Sequence, residues 1–391
     1  LPALVIEIRP EFGFHDDRKR GPRPVKEPSH RRSQVIWHIA VHDRIAEQQP
    51  DALRAGWRHG GHHQRHTRMA LQEGPHQRRG GLDLTDRHRM YPDRWSALTG
   101  QAEAKALFAD LLGVAPEELI VGGNSSLNMM YDTLLRAMVH GVGADLPPWG
   151  RLPRVRFLCP SPGYDRHFAI CEHLGMEMIP VAMTPEGPDM DAVERLAAGD
   201  AGVKGIWCVP KYSNPTGTIY SEEVVLRLAA MPTRTPDFRI FWDNAYAVHH
   251  LGGVPARLAD ILAACRKSGH PDRVLMFGST SKISFAGSGI AFMAGSRAGM
   301  AWARAHLGFQ TIGPDKLNQL RHVAAFKTME GILAQMQRHA AILAPKFDAV
   351  HDVLERELGG TGVAQWTRPT GGYFISLDPA PGCARRVVQL A

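Results

Sequence analysis

The chain has 391 residues, 44% of them hydrophobic, with 46 Lys+Arg against 39 Asp+Glu, 20 His and a formal net charge of +7. That length and apolar content exclude a wholly disordered or fibrous protein and suggest two to three domains. The charge is uneven: residues 1–90 hold 17 basic and 11 acidic residues and 10 of the histidines, whereas residues 91–391 hold 29 and 28. Basicity therefore belongs to the first quarter, and the remainder is not expected to bind nucleic acid through a bulk positive field. No window approaches the ~18 consecutive apolar residues of a membrane span, and residues 1–14 lack the basic start and long apolar run of a signal peptide, so a cytoplasmic protein without a membrane partner is expected. Cys159, Cys171, Cys208, Cys265 and Cys383 are odd in number and include no CxxC pair, which argues for reduced core thiols over a disulfide framework or zinc site.

Residues 1–80 intersperse Pro, Arg, His and Gly (GPRPVKEPSHRRSQ, AGWRHGGHHQRHTR), and their apolar residues follow neither a helical nor a strand period. Residues 33–45 read as a short helix, and the segment as a whole is expected to be poorly ordered. Its texture is what GC-rich DNA yields when translated in an unnatural frame, and it is read as a frameshifted or wrongly started gene model. His59, His62, His63 and His66 have no flanking acidic or cysteine partner, so no metal is expected there. A helix-turn-helix requires two well-patterned helices around a short turn, and this stretch offers one.

From about Gly81 the texture changes, and residues 102–112 (AEAKALFADLL) carry apolar residues at helical spacing, ended by Gly113. Short apolar runs then alternate with helical patterns: VRFLC (155–159), a helix over 166–175, VKGIWCV (203–209), a helix over 221–230, FRIFW (238–242), VLMFG (274–278) and GIAFMAG (289–295). This alternation predicts an α/β fold with a mostly parallel sheet sandwiched by helices, and ligands at the carboxyl ends of the strands. Residues 330–358 predict a long helix leading into a smaller second domain.

Three strand ends carry chemistry. Asn214-Pro215-Thr216-Gly217 follows VKGIWCV, Asp243 and Tyr246 follow FRIFW, and Ser279-Thr280-Ser281-Lys282 follows VLMFG. Singly these read as a turn, an N-cap and a surface lysine. Together, with Asp243 29 residues after Asn214 and Lys282 39 beyond it, they resemble the fold-type I pyridoxal-phosphate (PLP) aminotransferases. The resemblance implies that Lys282 forms a Schiff base with the cofactor aldehyde and then moves the substrate α-proton as a general acid/base. Asp243 would keep the pyridinium nitrogen protonated, so that the ring serves as an electron sink. Asn214 and Tyr246 would hydrogen-bond the phenolic oxygen. In VGGNSSLNMMYD (121–132) a Gly/Ser turn opens a helix, an arrangement that binds anions, and Ser125 and Ser126 are expected to hold the phosphate together with Ser279. Tyr164 matches the aromatic that stacks on the pyridine ring.

The strings CPSPGYDRHF (159–168), GPDMDAVE (187–194), STSKISFAGSG (279–289) and VAQWTRPTGGYFISLD (363–378) narrow the resemblance, over roughly residues 100–391, to the MocR-like subgroup of class I aminotransferases, which includes aspartate aminotransferases. Where many relatives place a phosphate-binding arginine eight residues after the lysine, this chain has Ile290, and Ser288 or backbone amides are the candidate substitutes. LDLT (82–85) echoes the start of the family's N-terminal arm, and Tyr91 its tyrosine that reaches the neighbouring subunit's phosphate. Family members continue past GGYFISLD to an arginine that clamps the substrate carboxylate. Arg385 and Arg386 lie before that position and read as solvated helix residues.

The resulting expectation is a fold-type I PLP-dependent transferase. It comprises an unrecognised segment (1–80), a large cofactor-binding domain (81–325) and a smaller, incomplete α+β C-terminal domain (326–391). The expected reaction is amino transfer from an L-amino acid, aspartate by resemblance, to a 2-oxo acid, 2-oxoglutarate, in a homodimer. The alternatives are a catalytically silent PLP-fold fragment or a PLP-fold transcriptional regulator.

Overall fold

The computed structural model describes residues 4–7, 98–143 and 146–390. Tyr91, the 33–45 helix, the histidines at 59–66 and the LDLT echo lie outside the described residues.

The first helix of the body, α1 (Ala102–Leu112), buries Ala104, Leu107, Phe108 and Leu111 along one stripe and ends where Gly113 turns left-handed at φ 70. The chain then runs through β2 (Leu119–Val121), α2 (Ser126–His140), β3 (Arg156–Ser161), α3 (Asp165–His173), β4 (Glu177–Thr184) and the two-residue β5 (Gly187–Pro188). Next come α4 (Met190–Gly199), β6 (Val203–Cys208), α5 (Glu222–Ala230), β7 (Arg239–Asp243), α6 (Ile261–Lys267), β8 (Val274–Ser279) and β9 (Ala291–Gly295). Side chains of Asp189, Ser221 and Asp260 cap α4, α5 and α6, which explains where these helices begin.

The strands form an eight-stranded sheet in the order β2-β9-β8-β7-β6-β3-β4-β5. Strands β4, β3, β6, β7 and β8 are parallel, and β9 runs antiparallel to both β8 and β2. Side chains alternate between two cores: Ile240 and Trp242 of β7 face one, with Val274 and Met276 of β8, whereas Phe241 faces the other with Leu275 and Phe277. Burial on both faces is why these strands read as continuous apolar runs. At 1% exposure or less, Ile240, Phe241 and Trp242 each contribute roughly 1.5–3 kcal/mol of apolar burial.

Beyond the sheet lie α7 (Arg297–Gln310), α8 (Lys316–Phe326), a 30-residue α9 (Met329–Leu358), β10 (Ala364–Trp366), β11 (Phe374–Pro379) and α10 (Ala384–Leu390), on which Arg385 and Arg386 are exposed. A second sheet pairs β1 (Leu4–Glu7) with β11 and β11 with β10, in the order β1-β11-β10. Here the sequence reading is corrected. Residues 1–80 show no strand period, yet Leu4–Glu7 forms β1, antiparallel to β11 from Leu4↔Leu377 to Glu7↔Phe374. A four-residue run is too short for alternation to register, and the ladder that holds it lies at the opposite end of the chain.

Candidate active site

β6, β7 and β8 are adjacent and end at Cys208, Asp243 and Ser279, so the three chemistry-bearing loops leave the same edge of the sheet. One cavity of about 190 Å³ lies there. It is lined by the eight sequence-named site residues within the described chain: Ser125, Ser126, Tyr164, Asn214, Asp243, Tyr246, Ser279 and Lys282.

Asp243 closes β7 at 3% exposure. Its Oδ2 accepts a 3.0 Å hydrogen bond from Nε2 of His167, which is 1% exposed. The imidazole stacks on Trp207 at 4.2 Å and 9°, and Tyr164 meets it edge-on at 5.0 Å. Asp243 Oδ1 is buried without a partner and belongs to a residue that lines the cavity. An unbonded buried carboxylate oxygen costs about 1–3 kcal/mol or more, so this atom is an unused acceptor suited to a cationic N–H donor.

Lys282 sits on a tight turn in which Ile283 and Ser284 donate their N–H groups to the Thr280 carbonyl at 2.9 and 2.8 Å. Thr280 Oγ1 accepts from Ile290 N at 2.8 Å, and His322 on α8 lies 2.9 Å from Ser284 Oγ and 3.2 Å from Thr280 Oγ1. Burial pushes the His322 pKa down to about 4, so this brace is neutral. Lys282 Nζ stands 5.0 Å from the centroid of the buried Tyr246 ring.

The cavity lining is also rich in hydroxyls. Ser125 is the N-cap of α2, but its side chain makes no capping bond. Ser126 opens the helix, Ser279 Oγ donates to Ser281 Oγ at 3.1 Å, and Ser281 also lines the cavity. Hydroxyls gathered beside a helix N-terminus suit an anion. Ile290 does not take part: it is buried in the core on one face of the sheet. Ser288 is also absent from the lining, and its carbonyl accepts from Asn318 Nδ2 at 3.1 Å. Among the described residues the lining contains no arginine. Together, an orphaned carboxylate oxygen, an amine, two tyrosines and four serine hydroxyls fit a phosphorylated, protonated pyridine aldehyde.

Sequence reasoning missed His167, Ser281, His249, Tyr373 and His322. Ser281 lay within the S-x-S-K string, and His167 had one local signal, its place in the first turn of α3, three residues after the N-cap Tyr164. The remaining three meet the lysine turn only through tertiary contacts.

The family model described as aspartate amino-transferase matches residues 81–391. A Mycolicibacterium smegmatis protein bearing an aminotransferase name is 50% identical over 307 residues, 78% of this chain and 72% of the relative. An aspartate aminotransferase of Corynebacterium glutamicum is 48% identical over 297 residues, 76% of this chain and 68% of the relative. The crystal structure of an aspartate transaminase from Corynebacterium glutamicum superposes with TM-score 0.73 at 48% identity, covering 75% of this chain and 69% of that one. An α-aminoadipate aminotransferase of Thermus thermophilus, solved with N-(5′-phosphopyridoxyl)-L-leucine, shares the fold at TM-score 0.60 and 23% identity, covering 76% and 71%.

Proposed function

Since this chain belongs to the aspartate aminotransferase family, and is therefore an enzyme that transfers amino groups, we propose that it exchanges an amino group between L-aspartate and 2-oxoglutarate using PLP carried on Lys282. The observation that carries the reading is the orphaned Oδ1 of Asp243 in the same cavity as Lys282. When bound, the cofactor supplies an aldehyde for amine exchange and a ring that accepts the electron pair left by α-proton removal.

The chain's own residues do the rest. Asp243, held by His167, pairs with the ring nitrogen and keeps it protonated. Ser125, Ser126, Ser279 and Ser281 hold the phosphate with the N-terminus of α2. Tyr164, Asn214 and Tyr246 would hold the ring and its phenolic oxygen, and Val209 and Met130 add apolar wall. The Lys282 amine takes the α-proton of the amino donor in one half-reaction and supplies a proton to the α-carbon of the 2-oxo acid in the other. We divide the chain into a large cofactor-binding domain over 81–325 and a smaller one from 326, on the break between α8 and α9 at Lys327, φ 62.

A homodimer is supported by exposed apolar side chains on and beside α2 and α7: Phe309 at 94%, Ile312 at 87% and Val139 at 55% exposure. Among the described residues no helix is long and apolar enough to cross a membrane. The test is oxaloacetate formation by purified, PLP-loaded protein given aspartate and 2-oxoglutarate. Turnover with this pair above other amino acids supports the reading, and a PLP chromophore without turnover overturns it in favour of a silent PLP-binding protein.

A further inference from the structure

The lysine turn closes without using the carbonyl of Lys282, because both returning N–H groups go to the Thr280 oxygen. Lys282 O accepts instead from two side chains, Tyr373 OH at 3.1 Å and His249 Nε2 at 3.3 Å. A carbonyl only accepts, so the His249 proton sits on Nε2, and the two donors fill both oxygen lone pairs. His249 Nδ1 is left buried without a partner. Burial, reinforced by the Lys282 charge, holds this ring neutral, with its pKa lowered to about 3.

Both donors are remote from Lys282 in sequence. His249 follows the loop after β7, while Tyr373 immediately precedes β11 of the second sheet. They are 3% and 6% exposed, their rings lie 5.4 Å apart, and each packs against Tyr246, at 5.6 and 6.2 Å. Tyr246 in turn lies beneath Lys282 Nζ. One aromatic unit therefore touches the lysine at both its backbone and its amine. The aim of Tyr373 is set by the glycines before it: Gly372 has φ 81 and donates to His249 O at 2.8 Å, and a Cβ on Gly371 would stand 2.4 Å from the Tyr212 ring. Satisfying a buried carbonyl takes a single donor. Two buried donors from separate elements fix its direction as well.

We propose that His249 and Tyr373 are positioning residues, a two-donor clamp on the Lys282 carbonyl through which the C-terminal sheet sets where the lysine amine stands in the cofactor cavity. The proposal rests on the reading of Lys282 as the cofactor lysine, and the experiment separates the two. Tyr373→Phe deletes one hydroxyl and keeps the ring, His249→Leu deletes a donor, and His249→Gln restores one. Each variant is measured for the rate at which the visible band appears when PLP is added, for kcat and KM, and for apo-protein melting.

With melting little changed, Tyr373→Phe and His249→Leu are expected to slow band formation and lower kcat about tenfold, the loss expected of one hydrogen bond, with KM nearly constant, while His249→Gln stays within about twofold of wild type. The cycle is completed in Lys282→Ala supplied with methylamine, where Tyr373→Phe should change the rescued rate no further. Equal losses in both backgrounds, or unchanged band formation in Tyr373→Phe and His249→Leu, overturn the clamp. A band that persists in Lys282→Ala overturns the underlying lysine assignment instead.

Discussion

His167→Phe keeps an aromatic ring to stack on Trp207 while deleting the Nε2–H that reaches Asp243 Oδ2 at 3.0 Å. Because Oδ1 has no partner either, the variant leaves both oxygens unbonded in a carboxylate that is 3% exposed. Losing a hydrogen bond to a charged group costs about 1.5–3 kcal/mol, and stripping the partner from a buried pair about 3–5 kcal/mol; near-complete burial places this loss at about 3 kcal/mol. Little of it is packing, since the rings are similar in shape and size. Urea unfolding of the apo-protein should show a lower midpoint with an unchanged slope. Adding Asp243→Leu to His167→Phe should recover more than half of the loss, because no buried charge then remains. A wild-type midpoint for His167→Phe, or a double variant no more stable than the single one, would refute this account of how Asp243 is held.

Two further outcomes depend on pH. Burial lowers the pKa of His249 to about 3 and of His322 and His339 to about 4, so the folded state keeps them neutral where the unfolded chain protonates them. The unfolded state then binds more protons between about pH 6.5 and 4, and stability is lost as pH falls through that window, by up to about 4 kcal/mol per pH unit for three groups. Denaturant titrations at stepped pH measure this slope, and a flat profile contradicts it. Lys211 is 9% exposed, donates to the Ala247 carbonyl, and is lowered to about 8 by burial. Its charged form therefore destabilises the fold below pH 8 and is relieved as pH rises toward 10.5. Lys211→Met should be more stable than wild type by about 2 kcal/mol at pH 7, with the advantage vanishing above about pH 10; an advantage independent of pH would exclude the charge as its cause.

Much of the sheet could be read from local sequence because β6, β7 and β8 are buried on both faces and appear as apolar runs, VKGIWC, RIFWD and VLMFGS. The helix at 102–112 was legible through its stripe and its terminating Gly113. The cavity residues were legible because polar side chains immediately after such runs fall at one sheet edge. What stayed hidden depends on contacts distant in sequence. His167 meets Asp243 76 residues later, and His249 and Tyr373 reach Lys282 across 33 and 91 residues. Spacing alone also misdirected attention from Ile290 to Ser288, since it does not reveal that Ile290 turns into the core and that Ser288 lies outside the cavity. β1 was invisible because its stability lies in its pairing with β11.

The central claim is that Lys282 carries the cofactor beside Asp243. The most direct measurement is borohydride reduction of the PLP-loaded protein followed by peptide mapping. The structure predicts a visible band that reduction abolishes, with phosphopyridoxyl label on the Lys282 peptide and none in Lys282→Ala. Label on another lysine, or no band in wild type, would contradict it.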